Sequence, residues 1–125
     1  MMKKILCAIL SVLLLVGGTL GLSSCGDSRP VIGIIQFGSH ESLNNCYTGI
    51  LAGLEESVDL EKYKIEYVNS NFTAETSLAQ AKKMVNQKAA VIVASATPSA
   101  ISAATAATGK QTPVVYCAVT DKSQV

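Results

Sequence analysis

The spacing of apolar positions changes period several times along the 125 residues. Val31-Ile32-Gly33-Ile34-Ile35-Gln36-Phe37 is an almost unbroken apolar run with the length of a strand buried on both faces. After the turn Gly38-Ser39-His40, the period becomes helical. Leu43, Cys46, Tyr47, Ile50, Leu51, Leu54 and Val58 form one stripe, with Ser39 as candidate cap and Glu41 in the first turn. Tyr63 to Val68 alternates, as a half-exposed or edge strand does. Asn69 to Phe72 reads as a loop, and Thr73 as the cap of a helix from about Ala74 to Lys88. Leu78, Ala81, Met84, Val85 and Ala89 are its expected inward face. Ala90 to Ala94 is a second buried strand. At Thr97-Pro98 a capping hydroxyl precedes a proline expected at the first helical position; the helix runs through an alanine-rich segment to Thr108. Gly109 is its left-handed stop, and Gln111 to Ala118 supplies a third buried strand with Pro113 near its start.

The order β-α-β-α-β-α-β implies an α/β fold: a doubly wound parallel sheet covered on both faces. Right-handed crossovers restrict it to a few arrangements. In such sheets ligands bind beyond the carboxyl ends of the strands, near the switch in strand order. Four loops leave those ends: Gly38–His40, Asn69–Phe72, Ser95–Thr97 and Thr120-Asp121. The segment Ser95-Ala96-Thr97-Pro98-Ser99 lies at a helix start, where free amides and the positive end of the dipole suit a carboxylate. Thr97 and Ser99 are candidate hydroxyl donors; alternatively, Thr97 only caps its own helix. Gln36, Phe37 and Ser39 would offer amide, ring and hydroxyl to the same cleft, although Phe37 reads equally as a core residue. His40 is either a ligand contact or a solvated loop residue, and Asp121 either receives an amine or serves its own turn.

The first residues carry a different pattern. Lys3 and Lys4 precede an uncharged apolar stretch that closes at Leu22-Ser23-Ser24-Cys25, which makes an export signal and looks like a bacterial lipobox. On that reading residues 1–24 are a lipoprotein signal peptide, Cys25 carries a diacylglyceryl group, residues 25–30 form a lipidated tether and residues 31–125 form the soluble head. The expected place is the extracytoplasmic face of the cell membrane. The alternative is an uncleaved span, which Gly17-Gly18, Gly21 and the polar Gly26-Asp27-Ser28-Arg29 disfavour.

Without Lys3 and Lys4, eight basic residues face nine acidic ones. That balance leaves no electrostatic footprint for nucleic acid. Of four cysteines, Cys7 lies in the signal and Cys25 is the lipid site. Cys46 and Cys117 remain, read as small buried hydrophobes; a bridge between them is the alternative that an exported protein allows, although nothing in the expected fold gives them a reason to approach each other. No Gly-x-Ser-x-Gly elbow, phosphate-binding glycine loop, acidic cluster or metal-type Cys/His spacing is present, so no catalytic residue, metal or cofactor is assigned.

Several stretches resemble one family in their joint order. They are Ile32 to Gln36, His40, Tyr47 to Leu54, Asn69 to Thr76, Val91 to Pro98 and Pro113 to Asp121. The family is the substrate-binding lipoproteins of ABC importers with tryptophan- and tyrosine-binding members. The resemblance spans essentially residues 31–125; Asn44-Asn45-Cys46 departs from the expected start of the first helix. It implies a type I periplasmic-binding-protein fold, two α/β lobes closing over a ligand, with a membrane permease and an ATPase as partners. It also implies that Ala96-Thr97-Pro98 holds the ligand carboxylate, that Gln36–His40 lines the pocket, and that Thr120-Asp121 sits near the hinge. By the same resemblance residues 31–125 are the N-terminal lobe, with the second lobe missing, so weak or unmeasurable ligand binding is expected of this chain alone. The competing reading is a sensory module that presents a ligand to a receptor or regulator. An enzyme on the same sheet would need an acid–base pair or cofactor loop that this sequence does not offer.

Overall fold

The computed structural model describes residues 26–125; the segment 1–24 expected to be a signal peptide and the proposed lipid site at Cys25 lie outside the described residues. Four strands, β1 (Val31–Gln36), β2 (Lys64–Asn69), β3 (Val91–Ser95) and β4 (Val114–Cys117), form one parallel sheet in the order β2-β1-β3-β4. Three helices connect them: α1 (Glu41–Ser57), α2 (Ala74–Asn86) and α3 (Thr97–Ala107). Short 3-10 turns follow at Leu60–Lys62 and Lys122–Gln124. The expected doubly wound α/β sheet is therefore what the chain forms.

The sheet's two faces are unequal. The chain moves one way from β1 to β2 and the other way from β2 through β3 to β4. Right-handed crossovers then put α1 on one face and both α2 and α3 on the other. On the two-helix face, Ile35, Ile92 and Ala94 pack with Ala81, Met84 and Val85 of α2 and with Ala100 and Ala103 of α3. The small alanines of α3 let it lie close against α2, as the alanine-rich segment implied. Gly33 makes room for Met84, whose side chain a Cβ at position 33 would strike.

The α1 face is thinner. Register places Ile65, Tyr67 and Asn69, then Ile32, Ile34 and Gln36, then Val91, Val93 and Ser95, then Val115 and Cys117 on this side. The stripe from Leu43 to Val58 does face inward, yet no residue of α1 is fully buried. One helix is too narrow to cover four strands, so its apolar residues stay half exposed. Tyr47 stacks on Tyr67 with ring centroids 4.4 Å apart, which ties the helix to β2.

The last strand departs from expectation. The stretch from Gln111 to Ala118 yields only four strand residues, and they line an edge of the described sheet rather than a buried position. Val115 and Tyr116 are exposed, because β4 has a neighbour on one side only. β2 is an edge strand, as its pattern implied, although its exposure does not alternate residue by residue, and Gly109 takes the left-handed conformation expected after α3, at φ 69°.

The packing against Gly33 sets a test. Gly33→Val should lose about 1–3 kcal/mol by overpacking against Met84. Urea denaturation would measure it; a midpoint equal to that of the unaltered chain would contradict the close packing described.

Candidate ligand site at the carboxyl ends of the strands

Strand order reverses between β1 and β3, so a crevice opens beyond Gln36 and Ser95, which are register partners. The loops after all four strands meet around it. On the β3 side, Ala96 precedes α3 with φ 74° and ψ 152°, a conformation that side chains other than glycine rarely adopt. Its N–H donates to the Cys117 carbonyl at 3.1 Å, and its own carbonyl accepts from the Ala100 N–H at 3.0 Å. Pro98 has no amide proton. The amides of Thr97 and Ser99 remain in the first turn without an intrahelical acceptor, at the positive end of the dipole.

Thr97 does not cap the helix in the expected way. The cap position falls on Ala96 with no side-chain hydrogen bond, and Thr97 itself is already helical, which moves Pro98 one place inward. Its hydroxyl instead lies 3.4 Å from that of Thr120 and accepts from the Thr120 N–H at 3.4 Å. The β3 and β4 loops are thereby joined. Ser99 is buried, and its hydroxyl pairs with that of Ser77 on α2 at 3.2 Å. Its hydroxyl thus serves helix packing, which leaves only its amide at the rim. Ser95 is buried as well.

On the β1 side, Gln36 is buried. Its Nε2 donates to the Gly38 carbonyl and to Asn44 Oδ1, both at 2.8 Å, while its Oε1 has no protein partner. Asn44 therefore earns its departure from an apolar helix start: it anchors α1 to the β1 loop. Phe37 is half-buried and meets Phe72 edge to face at 5.7 Å. Ser39 accepts from Asn69 Nδ2 at 2.8 Å and is not the cap of α1. That position belongs to His40, whose exposed ring accepts through Nδ1 from the Ser42 N–H at 3.3 Å. Asp121 caps the final 3-10 turn. Its carboxylate accepts from the Ser123 hydroxyl at 2.6 Å, the Ser123 N–H at 2.9 Å and Gln124 at 3.1 Å, and these bonds hold its pKa below the usual carboxylate value.

The structure therefore brings Gln36, Phe37, Ser39, Ser95, Ala96, Thr97 and the Ser99 amide to one rim, and engages His40 and Asp121 in their own turns. Ser70, which the sequence reading passed over as loop, belongs here too. It is fully buried, its N–H donates to the Gln36 carbonyl at 2.9 Å, and its hydroxyl oxygen has no partner. Thr73, expected to cap α2, turns its hydroxyl to the Asn71 carbonyl at 3.3 Å instead. Among the described residues, no group of three or more His, Cys, Asp or Glu side chains is arranged to hold a metal ion. A broader hollow of about 620 Å³ lies at the opposite end of the strands, beside Lys88, Lys110 and Pro113. It sits among helix carboxyl termini, where the dipole disfavours an anion.

Residues 31–124 match the model of a family described as ABC transporter substrate binding protein. The chain belongs to that family. A tyrosine-binding protein of Clostridioides difficile (strain R20291) is 36% identical over 92 residues, covering 72% of this chain and 26% of that protein. Two solved structures share the fold closely. One is a ligand-free, open substrate-binding protein with adhesive properties from Clostridium difficile, at TM-score 0.68 and 33% identity, covering 74% of this chain and 31% of the other. The second is an ABC domain from Streptococcus pneumonia in complex with L-Trp, at TM-score 0.67 and 37% identity, covering 75% and 32%. The chain thus spans about a quarter to a third of the length of these relatives, and its sheet matches a lobe of a periplasmic binding protein.

The strain at Ala96 can be measured. Ala96→Gly removes the Cβ that disfavours this backbone and should leave the protein about 1 kcal/mol more stable, whereas Ala96→Val should destabilise it. Thermal denaturation of both variants reads this; a glycine variant less stable than the parent would show that the turn is unstrained.

Proposed function

We propose that the crevice binds a small solute, an amino acid, with its carboxylate on the amides of Thr97 and Ser99. The observation that carries this reading is the pair of acceptor-less amides at the switch point, held outward by the Ala96 turn. Gln36 Oε1 and Ser70 Oγ, buried without a protein partner, are the nearest acceptors for the ammonium group. Phe37 and Phe72 supply apolar surface beside them. Relatives that bind tyrosine and L-Trp support an aromatic side chain on the ligand. The role is capture and delivery to an ABC permease and its ATPase, without catalysis. In this reading Cys25 carries the lipid that keeps the protein on the extracytoplasmic face of the membrane.

Amide resonances of the isotopically labelled chain decide the ligand question. L-tryptophan should shift Thr97 and Ser99 first, and tryptophanamide, which lacks the carboxylate, should not. Equal shifts with both compounds, or shifts confined to the far end of the sheet, would remove the proposal.

Anchoring is checked separately by detergent phase partitioning of the protein expressed in a bacterial host. The unaltered protein should follow the detergent phase, and Cys25→Ser should lose the lipid mass and move to the aqueous phase. Identical partitioning and mass for the two would refute lipidation.

A further inference from the structure

We propose, on the reading that the crevice takes an amino acid, that Phe72 is its specificity-determining residue: the ring is a preset platform that stacks on an aromatic side chain of the ligand. Phe72 leaves the β2 loop and reaches the β1 loop. Its ring meets Phe37 edge to face with centroids 5.7 Å apart, and it lies over Gly38, where a Cβ would strike three atoms of the ring. The backbone of Gly38 is not left-handed, so what that position requires is space. Gln36 and Ser70, which hold the two buried oxygens without a protein partner, come from the same two chain segments, each two residues from this contact. An ammonium group at those oxygens places the rest of the ligand beside the segment that carries the ring.

Two costs fall on Phe72 together. At 57% it is the most exposed large hydrophobic side chain among the described residues, so its ring contributes only part of its surface to the fold. Its backbone is also left-handed, at φ 60°, which is a true outlier for a bulky residue. Asn71 before it is left-handed as well, at φ 49°, but asparagine tolerates that conformation. Such strain concentrates at binding loops, where a fixed side-chain position serves the ligand.

The loop does not need the ring to hold its shape. The Ser70 N–H donates to the Gln36 carbonyl at 2.9 Å and the Phe72 N–H to the Phe37 carbonyl at 2.7 Å. The Asn71 N–H donates to Asn69 Oδ1, and the Thr73 N–H to the Ser70 carbonyl, both at 2.9 Å. All four bonds use backbone amides, so a different side chain at position 72 keeps them. What the bonds achieve is a ring fixed before the ligand arrives, so little freedom is lost on contact. An aromatic ligand gains both apolar burial and ring–ring attraction there, whereas an aliphatic one gains burial alone.

The test is NMR titration of the isotopically labelled chain, Phe72→Leu and Phe72→Tyr with L-tryptophan and with L-leucine. In the parent chain the Phe72 ring protons should shift on adding L-tryptophan and show nuclear Overhauser contacts to the indole. Phe72→Leu should weaken L-tryptophan binding by roughly 2- to 10-fold and leave L-leucine binding unchanged, while Phe72→Tyr keeps the parent's selectivity. A merely structural role would move both ligands alike. Should Phe72→Leu not fold, the indole contacts of the parent chain decide. If the Thr97 and Ser99 amides respond to L-tryptophan but the Phe72 ring makes no contact with the indole, or if Phe72→Leu leaves the selectivity as it was, the stacking role is overturned and the amino-acid site stands. If those two amides respond to neither ligand, the amino-acid site falls and the stacking role falls with it.

Discussion

The hydrogen bonding of β1 on both of its edges is the constraint from which the remaining features follow. β1 pairs with β2 on one side and β3 on the other, so the chain must reverse direction across the sheet between its first and second crossovers. Handed crossovers then segregate one helix from two. The two-helix face becomes the dense core, built on Ile35, Met84 and Ile92 and on close-packed alanines. The one-helix face stays half covered. The same reversal separates the loops after β1 and β3, and the crevice is the gap between them.

Polar groups at that gap are arranged by competition between local and tertiary partners. Threonine, histidine and aspartate side chains near helix starts readily satisfy nearby backbone amides. His40 and Asp121 do so here. Thr97 and Ser99 do not. Their hydroxyls are drawn to Thr120 and Ser77 on other elements, and the helix amides they would have served stay open. A backbone strained at Ala96 maintains this state, in keeping with the placement of strain at binding loops.

Much of the architecture was legible because periodicity reports local burial. The unbroken run at 31–37, the alternation at 63–68 and the alanine-rich helix each have a pattern with one natural reading. Most of the inward face of α2 was visible for the same reason. The extent of β4 was not, since an apolar run has the same appearance at a sheet centre and at an edge. Nor was the half-exposed state of α1, because a stripe of seven apolar residues does not say how much sheet a single helix must cover. Ser70 carried no signal at all: a serine in a polar loop gives no hint that it will be fully buried.

By itself, the sequence determined the α/β class, the order of elements and which loops leave the carboxyl ends of the strands, since these follow from residue type and spacing along the chain. The tertiary structure alone decided which side chains reach the rim and which hydroxyls are engaged elsewhere. Those outcomes depend on the relative placement of elements distant in sequence. That placement is set by strand register and crossover handedness, and neither leaves a trace in local spacing.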